Sequence, residues 1–360
     1  MNSLNNVPLT ESDTLSTEVR NGVGFITLNR PSALNTINIA MVRVMHKALL
    51  TWAENASVKA VVVQGSGEKA FCAGGDVRRV HECITKGLEE YHVFFKEEFA
   101  LNEYIYNYPK PYVALMNGIV MGGGMGIAQG ATYRVVNETT KIAMPETAIG
   151  YFPDVGGSYF LTRTNPSIGK YLGLTGKHIN HHDALFCNLA DWTLPLKQWN
   201  NFTKELELVD SKKNPIDQSI EDILIKLGAS QSYEQSNIQD SRTLIESVFS
   251  RVSLHAIFES LHEHMDQSWA QETTSSMLRN SPLAMAATLQ LLTQGSKLGL
   301  SECFAVELEL TKDWHLKGEF LEGVRAALID KDKNPKWKYS LNEVDTNLIK
   351  KYFPCLFRYQ

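Results

Sequence analysis

The stretch Phe71–Arg79 reads FCAGGDVRR and lies between a predicted buried strand and a predicted helix. Its glycines let a ligand approach the main chain, and aspartate is a favoured residue at the N-cap of a helix. Because the first N–H groups of a helix have no intrahelical partner, the loop predicts donors around Gly75 and Asp76 that suit an oxyanion. A tight turn capped by Asp76 is the structural alternative, and the stretch alone leaves both open.

A second glycine loop, Met121–Gly126 with the sequence MGGGMG, follows the apolar run 111–120, which predicts one buried strand. The dinucleotide pattern GxGxxG is not met, because Ile127 and Gln129 occupy the positions of its last glycine, so no nicotinamide cofactor is expected. Two such loops can each give one N–H to a developing C–O⁻. Close packing of a strand against a helix is the alternative reason for three successive glycines.

The rest of the chain predicts an α/β protein that becomes helical toward its end. The dipeptide Asn21-Gly22 joins two short runs of strand character and favours a tight hairpin. Apolar residues at helical spacing follow Pro31, and buried strands then alternate with helices. From about residue 166 the periodicity is mostly helical.

The composition is that of a globular protein without a strong charge field. The chain has 360 residues, 43% of them hydrophobic and 21% charged, and a formal net charge of −5. These values argue against nucleic-acid and membrane partners, and no apolar run is long enough to span a membrane. Five scattered cysteines without metal-ligand spacing predict free thiols and no metal site. Together with a first segment that lacks the pattern of a signal or transit peptide, they predict a cytoplasmic protein.

Four further stretches carry a family likeness. They read NRPSALNTINIAMV (29–42), AFCAGGDVRRV (70–80), KPYVALMNGIVMGGGMG (110–126) and MPETAIGYFPDVGGSYFLTR (144–163). In this order and spacing they resemble the enoyl-CoA hydratase (crotonase) superfamily, and specifically its 3-hydroxyisobutyryl-CoA hydrolase branch. FFKEEFALN (94–102) and the tail RAALIDKDKNPKWK (325–338) also resemble that branch, so the likeness covers nearly the whole chain.

The resemblance implies an α/β fold with a crotonase-like core that spirals through ββα turns, its strands in two roughly perpendicular sheets, and a helical C-terminal region. We expect residues 1–200 to form the spiral core with the acyl-CoA site. Residues 201–360 are expected to form a mainly helical region that completes the site and is a candidate for oligomer contacts.

The resemblance also implies an acyl-CoA cradle. Gly75 and Gly123 take the two oxyanion-hole positions, whose N–H groups would polarise a thioester carbonyl. Glu98 matches a position that contacts the acyl group, and its structural alternative is a solvent-facing helix residue paired with a lysine. The lysines from Lys331 to Lys338 suit CoA phosphates or form a solvated charge run. The CoA-binding positions carried over are Ala33, Leu34, Gly74, Gly75 and Asp76.

Two positions, Gly126 and Asp154, separate this chain from the hydratases that it resembles. A hydratase of the superfamily uses two glutamates, and counting from Gly123 puts the first of them at Gly126, which carries no acid. The second is present as Glu146, and Asp154 stands where hydratases have glycine. Glu146 and Asp154 are therefore the predicted catalytic acids, and with Glu98 and Gly123 they are expected to bind the substrate.

The predicted reaction is hydrolysis of a short, branched 3-hydroxyacyl-CoA, with 3-hydroxyisobutyryl-CoA from valine catabolism as the expected substrate. Glu146 attacks the carbonyl carbon or activates a water, and the sequence leaves both open. Asp154 is expected to bind the substrate hydroxyl or to protonate the leaving thiolate. No cofactor is required, because CoA is part of the substrate.

Two other functions fit parts of the sequence. Hydration or isomerisation of another short acyl-CoA uses the same fold, and Gly126 argues against hydration. A non-catalytic subunit of a larger assembly would have no need of the acids, which this chain keeps. A homo-oligomer is left open, because hydratases of this fold commonly form trimers or trimer pairs.

Overall fold

The structure is a computed structural model in which residues 14–210 and 214–358 are described. Its strands, numbered in chain order, are Leu15–Arg20 (β1), Val23–Leu28 (β2), Ala60–Gly65 (β3), Ala70–Cys72 (β4), Tyr112–Met116 (β5), Ile119–Met121 (β6), Tyr133–Val136 (β7), Lys141–Ala143 (β8) and Trp192–Thr193 (β9). Its α-helices are Ile39–Glu54 (α1), Val77–Thr85 (α2), Glu90–Tyr106 (α3), Gly123–Gln129 (α4), Gly157–Arg163 (α5), Pro166–Thr175 (α6), His181–Phe186 (α7), Trp199–Glu207 (α8), Ile216–Lys226 (α9), Asn237–Asp240 (α10), Arg242–Phe249 (α11), Leu254–His262 (α12), Ser268–Met277 (α13), Pro282–Gly295 (α14), Leu300–Lys317 (α15), Phe320–Val324 (α16) and Thr346–Tyr352 (α17).

The described residues form two compact units. The first contains the residues up to Gly75, Ala100–Ile142 and Ile179–Ser236, and the second contains Asp76–Phe99, Ala143–His178 and the residues from Asn237 onward. Each unit is thus assembled from three separate segments. The predicted division into residues 1–200 and 201–360 rests on a change in secondary-structure content along the chain. This division into two regions stays a prediction.

A six-stranded sheet organises the first unit. Its strand order is β1-β2-β3-β5-β7-β9, with β1 and β2 antiparallel and the other neighbours parallel. Strand β5 is buried throughout, as expected for a parallel strand covered on both faces. Phe202 and Leu206 of α8 and Ile220 and Leu224 of α9 belong to the same buried cluster as the side chains of this sheet. Helices that begin near residue 200 or beyond therefore complete the core of the first unit.

The predicted hairpin joins β1 to β2. Arg20 pairs with Val23, and the two turn residues, Asn21 and Gly22, have φ angles of 47° and 83°. Two successive positive φ angles define the turn type that matches the twist of the flanking strands. The prediction from Asn21-Gly22 is confirmed.

The single strand predicted for residues 111–120 is wrong, because the structure divides it into β5 and β6. Strand β5 belongs to the six-stranded sheet, and β6 lies between β4 and β8 in a separate three-stranded sheet. The break falls at Gly118, which has a φ of 56°, and a Cβ there would lie 2.3 Å from the carbonyl oxygen of Lys69. A glycine that permits this turn sends the chain from one sheet to the other.

Helices dominate the second unit. The longest of them, α15, buries a face that includes Cys303, Leu310, Trp314 and one acid, Glu307. All five cysteines are buried, and none forms a disulfide within the described residues. Within the described residues, no helix is both long and apolar enough to cross a membrane.

Candidate active site

The two glycine loops lie side by side in the first unit. A Cβ built on Gly74 would lie 3.6 Å from the carbonyl oxygen of Met121 and 3.9 Å from the amide nitrogen of Gly123. Helix α4 begins at Gly123, so its N–H is one of the first-turn donors that have no partner within the helix. The structure therefore brings the loop that contains Gly75 next to the amide of Gly123.

Gly124 is required for the packing of these loops. A Cβ at this position would lie 2.3 Å from the carbonyl oxygen of Cys72 and 2.9 Å from its Cβ. No side chain fits at such distances, so the structural alternative for the triple glycine holds at this position. Gly126 is buried two residues further along α4, and it carries no acid.

The turn around Ala33 and Leu34 is hydrogen-bonded to the first glycine loop. The amide of Ala73 donates to the carbonyl of Leu34 at 3.0 Å, and the amide of Ile37 donates to the carbonyl of Gly74 at 2.9 Å. Leu34 has a φ of 52°, which turns the chain sharply toward this loop. The main chain of the predicted CoA-binding turn and that of the first oxyanion position are thus directly connected.

Asn35 holds the same turn in place, and it was missed by sequence reasoning. Its side chain, only 1% exposed, donates to the carbonyls of Ser66 at 2.9 Å and Ala70 at 2.8 Å and accepts from the amide of Arg30 at 2.9 Å. These bonds join the walls of a cavity of about 340 Å³, which Leu34 also lines. The available signal was an asparagine in a predicted turn, since asparagine tolerates positive φ and bonds to nearby main chain.

Asp76 and the basic tail, which carry the charged candidates for CoA binding, lie in the second unit. Asp76 caps α2, where its side chain accepts from the amide of Arg79 at 3.3 Å. In the basic tail, Arg325 forms ion pairs with Glu322 at 2.8 Å, Asp330 at 2.7 Å and Asp332 at 2.8 Å. Asp76 therefore has the structural role of a helix cap, and a contact with CoA stays a prediction.

Glu146 begins a short 3-10 turn in the second unit, and its side chain is 7% exposed. The adjacent Thr147 anchors this turn. Its carbonyl accepts from the amide of Ser281 at 3.0 Å, and its hydroxyl accepts from the side-chain amide of Asn280 at 3.1 Å. The indole N–H of Trp314 donates to the carbonyl of Gly150 at 2.8 Å, beyond the end of the turn. Residues at the start of α14 and in α15 thus position Glu146 through main-chain contacts.

Asp154 lies in a turn of unusual backbone conformation. Its side chain is 6% exposed, and its carbonyl accepts from the amide of Gly157 at 2.7 Å. Val155 and Gly156 follow with φ angles of 52° and 87°. A positive φ at a β-branched residue is a genuine outlier, so the surrounding contacts must hold this turn.

Burial dominates the electrostatics of the three predicted acids, which the structure brings together in the second unit. Burial raises the pKa of Glu98 and that of Glu146 to about 8. Burial raises the pKa of Asp154 well above its usual range, and the charges of Glu98, Glu146 and Glu307 raise it further. Within the described residues none of the three has an ion-pair partner. Burial therefore favours the protonated form of each of these carboxyls in the free protein.

The burial of Glu98 also decides between its two interpretations. Its side chain is 2% exposed, so the solvent-facing alternative is wrong. One of its oxygens, like one oxygen of Glu146, is buried without a hydrogen-bond partner among the described residues. Such an oxygen is available to a bound molecule.

A fourth carboxyl, that of Glu307, completes what we term the acid cluster: Glu98, Glu146, Asp154 and Glu307. Glu307 is fully buried and accepts from the amide of Gly156 at 2.8 Å, the amide of Ser158 at 2.9 Å and the hydroxyl of Ser158 at 2.5 Å. Burial raises its pKa to about 7, although these hydrogen bonds act in the opposite direction. Sequence reasoning missed Glu307, and the signal was an acid on the apolar face of a helix. No group of side chains suited to a metal ion occurs in the part of the chain that is described.

Known proteins of similar sequence agree on one family. Residues 23–353 match the family described as enoyl-CoA hydratase/isomerase. A Danio rerio protein named 3-hydroxyisobutyryl-CoA hydrolase, mitochondrial, is 39% identical over 92% of this chain and 87% of its own length. Proteins of the same name from Dictyostelium discoideum and Homo sapiens are 36% and 35% identical, and the matches cover 92% and 94% of this chain and 89% and 88% of theirs.

Solved structures show the same fold. A carnitinyl-CoA dehydratase from Mycobacterium thermoresistibile matches with a TM-score of 0.87 at 33% identity, covering 95% of this chain and 96% of that chain. An enoyl-CoA hydratase from Rhodobacter sphaeroides 2.4.1 matches with a TM-score of 0.84 at 34% identity, covering 95% and 97%. The expected crotonase-like α/β fold and the resemblance to 3-hydroxyisobutyryl-CoA hydrolases are confirmed. The chain belongs to the enoyl-CoA hydratase/isomerase family.

Proposed function

We propose that this protein hydrolyses the thioester of 3-hydroxyisobutyryl-CoA, the activity for which its relatives are named. The acid cluster carries the proposal. It places Glu146 with three further carboxyls in a buried environment, in a chain that has Gly126 where hydratases of the superfamily have a glutamate. Opening a thioester needs a base or nucleophile and a proton donor, and the cluster offers both.

In this proposal the N–H groups of Gly75 and Gly123 bind the thioester oxygen. Fixed main-chain donors stabilise the negative charge that develops on this oxygen, and loss of one donor costs about 10²- to 10³-fold in rate. A Cβ built on Gly74 would lie 3.9 Å from the amide nitrogen of Gly123, and this proximity supports the pairing of the two loops. That the same thioester meets Glu146 is part of the proposal and rests on the family resemblance.

Glu146 acts in its ionised form. Because burial raises its pKa to about 8, most of the free protein carries a proton there at pH 7, and the ionised fraction is a strong base. Glu146 either attacks the carbonyl carbon, so that CoA leaves and water opens the resulting anhydride, or removes a proton from an attacking water. Both routes consume one water and yield the free acid and CoA.

Asp154 and Glu98 act as neutral acids. The pKa of Asp154 is raised by burial and by three neighbouring carboxyl groups, which suits a group that gives its proton to the departing thiolate sulfur. Burial alone raises the pKa of Glu98 to about 8, so its protonated carboxyl is available to hydrogen-bond the 3-hydroxyl of the acyl group. Neighbouring carboxyls in one apolar environment divide their roles in this way.

Hydration of an enoyl-CoA is the second candidate, because the two solved relatives are titled as a hydratase and a dehydratase. Gly126 argues against it, since the glutamate expected there for hydration is missing. A non-catalytic subunit is a weaker candidate. Burying a carboxyl group without a cationic partner is costly, and a non-catalytic role would leave several such carboxyls unexplained.

Turnover in ¹⁸O-labelled water separates hydrolysis from hydration. Hydrolysis places the label in the carboxylate of a released acid, whereas hydration places it in a hydroxyl of a product that is still a CoA thioester. We expect the label in free 3-hydroxyisobutyrate, and label confined to a CoA-bound product would contradict the proposal. A single turnover followed by mass analysis of the peptide that contains Glu146 distinguishes the two routes, because the anhydride leaves the label in Glu146.

A further inference from the structure

Glu307 is a buried acid to which the proposed reaction assigns no step. It lies on the face of α15 that also carries Cys303, Leu310 and Trp314, and none of its surface is exposed. A carboxyl group loses its hydration when it is buried, so an apolar side chain of similar size would occupy this position at a lower energetic cost. Packing alone therefore does not explain an acid at this position.

The three hydrogen bonds that the Glu307 carboxylate accepts within the described residues all come from one turn. They come from the amide of Gly156, the amide of Ser158 and the hydroxyl of Ser158. Helix α5 begins at Gly157, and the residue at its N-cap, Gly156, has no side chain that could satisfy the first amides. Glu307 takes over the role of an N-cap from a helix that is about 150 residues away in the sequence.

The turn that Glu307 holds is the one that carries Asp154. Val155 and Gly156 directly follow Asp154 in this turn, and both have a left-handed backbone conformation. Such a conformation at valine persists only where neighbouring contacts determine it. Before the turn in the sequence, the indole N–H of Trp314 donates to the carbonyl of Gly150, and within the turn the amides of Gly156 and Ser158 donate to Glu307.

We propose that Glu307 is a positioning residue, which clamps the turn from Val155 to Ser158 and so sets both the direction of the Asp154 carboxyl and the charge around it. Glu307 acts through Asp154 and does not touch the substrate. The proposal rests on the proposed function, in which Asp154 donates a proton to the leaving group.

The charge of Glu307 gives this clamp a second effect. Besides burial, the groups that raise the pKa of Asp154 are Glu98 on α3, Glu146 on the 3-10 turn and Glu307 on α15. Removal of the Glu307 charge therefore lets Asp154 lose its proton at a lower pH. Asn280 and Ser281, which hold Thr147 beside Glu146, are neutral, so they do not raise the pKa of Asp154 in this way.

The variant Glu307→Gln tests the clamp, because glutamine keeps the size of the side chain but removes the charge and one acceptor. We expect kcat for thioester hydrolysis to fall about 10- to 100-fold with little change in KM, since a misplacement of about 1 Å can cost about 10²-fold. The limb of the pH profile of kcat that reports the protonated donor should also move to lower pH. Ser158→Ala, which removes one of the three donors, should produce a smaller change in the same direction.

A matched control lies two residues further along the same helix. Glu309 pairs with Arg358 at 2.5 Å on the surface, and Glu309→Gln makes the same chemical change away from Asp154. We expect this variant to keep the wild-type kcat and pH profile. A loss of activity in Glu309→Gln equal to that in Glu307→Gln would overturn the proposal, because α15 would then act as a whole.

Titration of Asp154 by carboxyl-carbon NMR, assigned with Asp154→Asn, decides the proposal without turnover. A lower pKa of Asp154 in Glu307→Gln than in the wild type supports the clamp, even if the protein cleaves no thioester and the proposed function fails. An unchanged titration overturns the clamp, whatever happens to the melting temperature. If Glu307→Gln does not fold, Ser158→Ala takes its place, and the pH profile of kcat and the titration of Asp154 are measured on that variant with the same expected and contradicting results.

Discussion

The candidate functional groups of the first compact unit are main-chain N–H groups, whereas those of the second are buried carboxyl side chains. The glycine loops that contain Gly75 and Gly123 offer N–H groups, and backbone hydrogen bonds and the absence of a Cβ atom at Gly124 fix their positions. The acid cluster offers titratable groups whose pKa values are raised by burial and, at Asp154, also by the neighbouring carboxyls. Substitutions should therefore act on geometry in the loops and on protonation in the cluster.

The largest effect is expected in the acid cluster from Glu146→Gln. Glutamine can neither attack the carbonyl nor remove a proton from water, so acyl-CoA cleavage should fall by about 10²- to 10⁴-fold. Calorimetric titration with CoA should show nearly unchanged binding. Glu272→Gln, which removes the surface partner of Lys177, is a control that should keep full activity. Wild-type turnover in Glu146→Gln would remove Glu146 from the mechanism.

The next largest effect is expected in the glycine loops from Gly123→Pro. Proline lacks the N–H and is well tolerated as the first residue of a helix, where Gly123 stands, so the change deletes a donor and spares α4. Turnover should fall by about 10²- to 10³-fold. The adjacent change Gly124→Ala should instead lower the melting temperature, because its Cβ would lie 2.3 Å from the Cys72 carbonyl oxygen. Activity that survives in Gly123→Pro would contradict the role of its amide.

The pH dependence of kcat/KM is expected to come from the acid cluster, because the main-chain N–H groups of the glycine loops do not titrate. Glu146 must lose its proton to act, and burial raises its pKa to about 8, so kcat/KM should rise about tenfold per pH unit below that value. At higher pH kcat/KM should fall again, because Asp154 must keep its proton to donate it to the leaving group. Because the carboxyls interact, the apparent pKa belongs to the cluster as a whole. A profile that is flat from about pH 6 to pH 9 would contradict this assignment.

The smallest effect is expected on stability from Glu98→Gln. Burial raises the pKa of Glu98 from its ordinary 4.5 to about 8 in the folded protein, so the folded state holds a proton that the unfolded chain releases between these values. The wild type therefore loses stability as the pH rises from 4.5 to about 8. Glutamine removes this loss, and the melting temperature at alkaline pH should rise by about 2–4 °C relative to the wild type. An equal shift at pH values below 4.5 would contradict the assignment to this proton.

The local parts of the fold could be predicted because neighbouring residues determine them. Asn21-Gly22 specifies its turn, and Asp76 caps α2 as its position suggested. The break of the strand at Gly118 could not be predicted, because it depends on the carbonyl of Lys69, which packs against that glycine from a distant part of the sequence. Local chemistry therefore predicts elements better than it predicts the sheet to which each belongs.

The same distinction applies to the candidate site. Glu146 and Asp154 were predicted from the family resemblance and from the departure at Gly126, and both are buried as an apolar environment requires. Glu307 could not be predicted, because its partners at Gly156 and Ser158 are about 150 residues away in the sequence. The catalytic roles and the cytoplasmic location stay predictions.

The central claim is that these main-chain donors and buried acids open a thioester and do not hydrate a double bond. The most direct measurement follows free thiol from 3-hydroxyisobutyryl-CoA and loss of enoyl absorbance from crotonyl-CoA with the same purified protein. We predict rapid thiol release from the first substrate and no absorbance change with the second. Loss of enoyl absorbance without thiol release from either substrate would contradict the account.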